Sequence, residues 1–438
     1  MKHLPALAAL IAVLCLSGVS HADPPLPTIV YPTGEFPNDV QNVQAAIDLG
    51  GTVLLKATDA AGHFTPFNFG PPLATNGDGR AVILTTDVEL LGETVSRHMT
   101  TIRGGYMPVR GESVSVKAAI RGIQFEGPMY AAIHVTASNG IEITGNVIKG
   151  VVDLPATSEA RAVLIANPPP SQVTGRIVVA SNLISTDPEH AAGVAFGVTI
   201  VGADADVAVL RNIVTDTSSE GITVYVTGRA DVWANLVVPG GPGAPNHNPA
   251  GNGLSVRTPL EGGAYIRDNV VACVNPLADG IYLIGELNFA GNPVVVSGGV
   301  IENNTVMMHG SLFGGIALYG TVRNTRISGN RISGDGAYAL QVTFFGDPAA
   351  IASSNRFVGN GISDFTASVA DVFFDINAID NLAFGPCASV LDLGAGNQYT
   401  CRHGRAAGGA EGRTSAPSRK LDPARPMWLD RADWGIDP

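Results

Sequence analysis

The chain has 438 residues, 53 of them Gly and 29 Pro, with only 15% charged residues and a formal net charge of −12. That composition describes many short strands and turns with few helices. An acidic chain of this kind is a poor partner for nucleic acid, and any attraction for a polyanion would have to come from a local basic groove.

The N-terminus reads as an export signal. Lys2 and His3 precede an uncharged apolar run from Leu4 to Val19, and Ser20-His21-Ala22 supplies the small residues of a cleavage site. Cleavage is expected after Ala22, which gives residues 1–22 as signal peptide and a secreted or periplasmic protein. The run is too short to cross a bilayer, and no later stretch is long and apolar enough to do so. Of the three remaining cysteines, Cys387 and Cys401 lie 14 residues apart and are expected to form a disulfide in an oxidising compartment. Cys273, after "DNVVAC", reads as a packed thiol.

"NDVQNVQAAIDLGGTVLLKA" (38–57) reads as an amphipathic helix over about 38–49 followed by a strand, with Asn38 or Asp39 as N-cap. Irregular early coils follow at "AVILTTDVELLGE" (81–93), "TTIRGG" (100–105) and "AAIRGIQFEG" (118–127). From there one pattern dominates. An Asn preceded by an aliphatic at −3 and followed by an apolar residue at +1 or +2 recurs at Asn146, Asn182, Asn212, Asn235, Asn269, Asn304, Asn330 and, more weakly, Asn355. Successive members are 36, 30, 23, 34, 35, 26 and 25 residues apart, as repeats of one coil with loops of varying length would be. Between them lie strands of period two such as "GVTI" (197–200), "GITVYV" (221–226), "GLSV" (253–256), "GIYL" (280–283) and "GIALY" (315–319). The Asn is expected to take the left-handed backbone at the bend. Its amide is expected to bond to its counterparts along the axis.

These repeats resemble the pectin-lyase-like superfamily of right-handed parallel β-helix proteins, over roughly residues 38–360. The resemblance implies an all-β solenoid with its N-terminal helix plugging the end of the coil. The expected domain is 23–403, with "SVADVFFDINAI" (368–379) and the disulfide loop closing the far end and 404–438 a mobile tail. In that family the fold hosts lyases, hydrolases, epimerases and non-catalytic adhesins, so it does not give the chemistry. The stacked-aspartate signature of polygalacturonase-like hydrolases and the Arg-x-Pro-x-x-Arg signature of pectate-lyase-like enzymes are both absent. "DPEH" (187–190) resembles the "DPHD" of alginate epimerases only in part, with His and acid out of order, and nothing is carried over from it. No metal-ligand spacing, phosphate loop or nucleophile elbow is present, so no metal or cofactor is expected.

Loop lengths point to a place for a site. Insertions at 150–161, 185–196 and 238–252 on one edge, and at 167–176 and 285–299 on the other, are expected to wall a groove across the outer face of the Gly-strand sheet. If Ile222, Val224, Leu254, Val256, Ile281 and Leu283 point inward, then Thr199, Thr223, Tyr225, Ser255, Arg257, Tyr282 and Tyr319 point outward. Glu220 and Asp279 stand at the entry to their strands. Arg257, Tyr282, Glu220, Asp279 and His247 are the candidate catalytic residues. Tyr225, Thr223, Ser255, Tyr319, His190 and Asp187 are the candidate substrate-binding residues. Aromatic rings stack on sugar faces, Arg grips a carboxylate, and acids, His or Tyr move protons. The set suits a polysaccharide lyase or glycoside hydrolase with a polysaccharide as partner. The other reading is a non-catalytic rod, in which the tyrosines are a surface stack, Arg257 an ordinary ion pair, and His247, Glu220 and Asp279 turn residues. His134, four coils from Arg257, is too far away to share a small site with it.

Overall fold

The computed structural model describes residues 26–71, 80–152, 160–165, 172–186, 194–239, 252–272, 278–286, 293–344, 349–386 and 389–402. Residues 1–22 and 404–438, expected as signal peptide and tail, together with Cys273, Cys387, Asp187, His190 and His247, lie outside them. The disulfide expected between Cys387 and Cys401 therefore falls outside the described residues as well.

Strand follows strand along a coil, and most pair with the equivalent strand of the next turn rather than with their neighbour in sequence. The strands Ala118–Arg121, Ile141–Thr144, Gln172–Ala180, Val194–Leu210, Ala230–Trp233 and Ala264–Arg267 pair in that order, all in parallel. A second file runs through Val147–Lys149, Leu183–Ser185, Ile213–Val226, Leu236–Pro239 and Val270–Ala272. The Gly-strands form a third, with Ile222, Leu254, Ile281, Ile316 and Leu340 in register. Among the described strands, the one antiparallel pair is Thr94–Val95 with His98–Met99. This is a parallel β-helix, as the repeats imply. It runs past residue 360, through Val372–Phe374 and Leu382–Pro386 to Gln398–Arg402.

The interior is the stack of inward aliphatics. Ile222, Val224, Leu254, Val256, Ile281 and Leu283 are all fully buried in one continuous core. Beside it runs an unbroken chain of asparagine amides. The Nδ2 of each ladder Asn donates to the Oδ1 of the next, from Asn146 through Asn182, Asn212, Asn235, Asn269, Asn304 and Asn330 to Asn360, at 2.9–3.1 Å. Each Oδ1 also accepts the backbone N–H of the preceding ladder Asn, as Asn235 does from Asn212. Each Nδ2 sends a further bond to a carbonyl of the previous coil, as Asn269 does to Val232 at 3.0 Å. A buried amide so placed leaves no polar atom unmet.

Two expectations are corrected here. The left-handed backbone belongs not to the ladder Asn but to the residue before it: Ser181, Arg211, Ala234, Asp268 and Asn303 have φ between 54° and 56°, and Gly329 has φ 65°. The bend is made one residue early, which frees the Asn side chain to turn inward. Asn355 also does not follow Asn330, whose partner is Asn360. Asn355 belongs to a second ladder, Thr325–Asn355–Asn381–Asn397. That ladder arises where the short strands Val296–Ser297, Val322–Arg323, Ala352–Ser353 and Ala378–Ile379 add a fourth face to the coil.

The helix spans Asn38–Leu49 and packs Val40, Val43, Ala46 and Ile47 into the core, a spacing that puts all four on one face. Neither Asn38 nor Asp39 caps it. Pro37 holds that position without a side-chain bond. The fully buried Asp39 carboxylate instead accepts from Thr33 N, Thr33 Oγ1 and Asn68 N at 2.6–2.8 Å, tying the helix to the chain on both sides.

Glycines at 197, 221, 253, 280 and 315 line the corner where the Gly-strands meet the post-Asn strands. A Cβ on Gly253 would lie 2.2 Å from Val271 Cγ1 and 2.4 Å from the Gly280 carbonyl. Replacing Gly253 with Val should therefore lower the urea midpoint sharply, overpacking costing about 1–3 kcal/mol or more. Asn269→Ala should cost roughly 3 kcal/mol, because it strands the buried donors of Asn235. An unchanged midpoint for either variant would contradict this packing.

Candidate functional site

The outward positions of the Gly-strands gather the candidate residues on one face. Alternation and register arrange them in three columns along the coil. Arg161, Phe196, Glu220 and Asn252 are in register. Asp279 continues that column, its N–H donating to Asn252 Oδ1 at 2.9 Å. Thr199, Thr223, Ser255 and Tyr282 form the second, and Tyr225 sits beside Arg257 in the third.

Glu220 is the hub. Its carboxylate accepts from the Tyr282 hydroxyl at 2.9 Å and from the Thr223 hydroxyl. The Tyr225 hydroxyl lies 3.4 Å from that of Tyr282. The Arg257 guanidinium stands over the Tyr225 ring, 4.4 Å from its centroid. Next along the coil, the Tyr319 hydroxyl lies 2.8 Å from both oxygens of Asp279, and Gly314 N donates to one of them at 3.1 Å. Tyr282 and Tyr319 meet edge to face with centroids 5.6 Å apart. Glu220, Tyr225, Arg257, Asp279, Tyr282, Tyr319, Thr223 and Ser255 are thus one cluster.

The expected floor of an open groove is instead largely buried. Tyr319 is 4% exposed and Asp279 and Tyr282 each 6%, because Tyr282, Ile284, Ala317 and Tyr319 pack into an apolar cluster of their own outside the main core. Glu220, Asn252, Tyr225 and Arg257 are half-buried and form the accessible side of the cluster. Much of the insertions at 150–161, 167–176, 185–196, 238–252 and 285–299 falls outside the described residues. A shallow depression of about 370 Å³ lies elsewhere, on the first sheet, lined by Thr52, Asp87, Glu89, Lys117 and Glu142.

Burial sets the electrostatics. It pushes the Asp279 carboxyl up to about 7, with the charge of Glu220 adding to the shift and the bonds from Tyr319 and Gly314 opposing it. Burial also raises the hydroxyls of Tyr225, Tyr282 and Tyr319, so they remain protonated donors; Glu220 adds to the first two and Asp279 to the third. The Arg257 guanidinium is lowered by burial, an effect that Tyr225 and Glu286 oppose. The Thr199 hydroxyl is buried and makes no hydrogen bond among the described residues. The Ser255 hydroxyl lies beside those of Tyr225 and Tyr282 without completing a bond to either.

Sequence reasoning missed Asn252 and Glu286. Asn252 sits in a Gly- and Pro-rich stretch, but like Glu220 and Asp279 it directly precedes a Gly-strand glycine, which was the available signal. Glu286 follows the Gly-strand directly, and only inter-coil register brings it toward Arg257. His134 lies on the same outer face but packs edge-on to Tyr130, away from this cluster. Among the described residues no group of His, Cys, Asp and Glu is disposed to hold a metal ion, and no helix is long and apolar enough to cross a membrane.

No family model matches the chain, and no curated protein does. Two solved structures are similar to it. The A-module of Azotobacter vinelandii mannuronan C-5 epimerase AlgE6 aligns at 13% identity and TM-score 0.39, covering 83% of this chain and 96% of that one. The A-module of A. vinelandii mannuronan C-5 epimerase AlgE4 aligns at 14% identity and TM-score 0.34, covering 84% and 95%. The parallel β-helix itself stands on the strand register above.

Asp279 yields a stability prediction. Folded, it holds its proton up to about pH 7; a free Asp releases its proton near 3.8. Within that window the folded state binds more protons than the unfolded, so stability falls as pH rises from about 4 to 7, by on the order of 4 kcal/mol in all. Urea denaturation across that range should show this slope in the wild type and a flatter profile in Asp279→Asn. Parallel profiles would contradict the burial of the carboxyl.

Proposed function

We propose that the protein is an exported carbohydrate-active enzyme, a polysaccharide lyase or glycoside hydrolase, with Glu220 and Asp279 as its paired acids. The observation that carries this reading is the convergence of two carboxyl groups, three tyrosine hydroxyls and an arginine on one face of a rigid sheet. Their environments differ in the way acid–base work requires. Glu220, half-buried on the accessible side of the cluster, is placed to be the group that takes a proton. Asp279 is buried and titrates near neutrality, suited to give one. Lyase and hydrolase chemistry both need that pair: one group to take a proton from the sugar or from water, another to protonate the leaving oxygen. Arg257 and Asn252 would hold the substrate from the accessible side. In the same reading residues 1–22 are the export signal. The helix 38–49 is the cap of the coil, a role supported by its four apolar residues in the core.

A second reading, a non-catalytic rod, draws on one observation: Tyr282, Tyr319 and Asp279 are packed like a core rather than presented like a floor. A panel of polysaccharides assayed for new reducing ends and for the ultraviolet absorbance of unsaturated ends separates the two. The enzyme reading expects turnover of at least one member, and a loss of roughly 100-fold or more in Glu220→Gln at unchanged circular dichroism. A correctly folded wild type that turns over none of them is the rod.

A further inference from the structure

On the first sheet, away from the Glu220 cluster, a single indole is held between two cations. Leu210, Trp233 and Arg267 occupy adjacent strands in register. Arg211, at the left-handed corner after Leu210, places its guanidinium carbon 4.9 Å from the Trp233 ring centroid; that of Arg267 lies 5.5 Å away. The adjoining column repeats the motif, with Arg229 over the Tyr265 ring at 4.3 Å. Arg229 is neutralised by Asp231, and the nearby Glu302 is taken by Arg326. Arg211 and Arg267 form no ion pair among the described residues, and both are exposed. The exposed Asp268 follows Arg267 and Glu302 is in register with it, but neither forms an ion pair with Arg211 or Arg267.

Each guanidinium stands over the indole on an exposed side chain, and the N–H fork of such a group can bind a carboxylate bidentately. The two forks arise from strands two coils apart, roughly 10 Å along the axis. That is comparable with the rise of two sugars in an extended chain. Trp233, half-buried between them, offers an apolar edge to the sugar in the middle. We propose that Arg211, Trp233 and Arg267 form a binding site for a carboxylated polysaccharide, separate from the Glu220 cluster, that engages a carboxylate on every second sugar. The charge complementarity favours a polyanion. The spacing and the aromatic favour a glycan over an acidic peptide, whose carboxylates are closer together and carry no ring.

Binding of polygalacturonate, neutral dextran and poly-L-glutamate to the full chain by isothermal titration calorimetry tests the site. The variants compared are wild type, Arg211→Ala/Arg267→Ala and Arg257→Ala; all three positions are outward-facing, and thermal denaturation checks their folding. The expected result is polygalacturonate binding that falls at least tenfold in the double variant, weakens with salt, and has no counterpart with dextran. Affinity unchanged in the double variant, a loss seen only with Arg257→Ala, equal binding of poly-L-glutamate, or no binding of polygalacturonate by the wild type would each overturn the proposal. Turnover in the polysaccharide panel is read independently, so this site and the proposed activity fail separately.

Discussion

The structure depends on the hydrogen-bonded file of asparagine side chains. A primary amide buried beside an aliphatic core is tolerable only when both its hydrogens and its oxygen are engaged. Here that condition is met from above and below at once: Asn235, for example, receives from Asn212 and gives to Asn269 and to the Val209 carbonyl. A coil slipped by one residue would break the file and also turn every inward side chain outward. Repeat length varies from 23 to 36 residues between ladder members, and the file stays continuous across all of them.

The same register assembles the candidate site. No two of Glu220, Asn252 and Asp279 are close in sequence, yet each occupies the position just before a Gly-strand glycine, and the coil stacks those positions in one column. The glycines matter for the same reason. With a side chain at Gly221 or Gly253, the Gly-strand could not approach Val237 or Val271, and the residue ahead of it would be displaced from its column. Tyr282 reaches back two coils to Glu220, and Tyr319 reaches back one to Asp279. The site is therefore a property of how the coils are stacked and of no single strand.

Periodicity in the sequence was enough for the coil, its inward residues, the helix and the side of the sheet on which the candidates stand. It was not enough for features that depend on neighbours from other coils. Asn355 fits the local pattern weakly and Asn360 has Phe357 in place of an aliphatic at −3, and only the appearance of a fourth short face assigns them to different files. The left-handed residue precedes the ladder Asn because the amide must turn inward, a demand set by the coil below. Alternation places Tyr282 and Tyr319 outward, but it cannot say that they pack on Ile284 and Ala317. Asp187, His190 and His247 lie in segments outside the described residues, and the stack of Arg211 and Arg267 on Trp233 exists only once strands two coils apart are brought into register.

A double-mutant cycle tests the ladder most directly. Asn235→Ala and Asn269→Ala, made singly and together, should show a coupling free energy of about 1 kcal/mol or more, because the two amides bond to each other. The distant pair Asn146→Ala and Asn330→Ala should add within about 0.5 kcal/mol. Strict additivity for both pairs would mean that the asparagines act singly, and the account of a coil held in register by its amide file would be wrong.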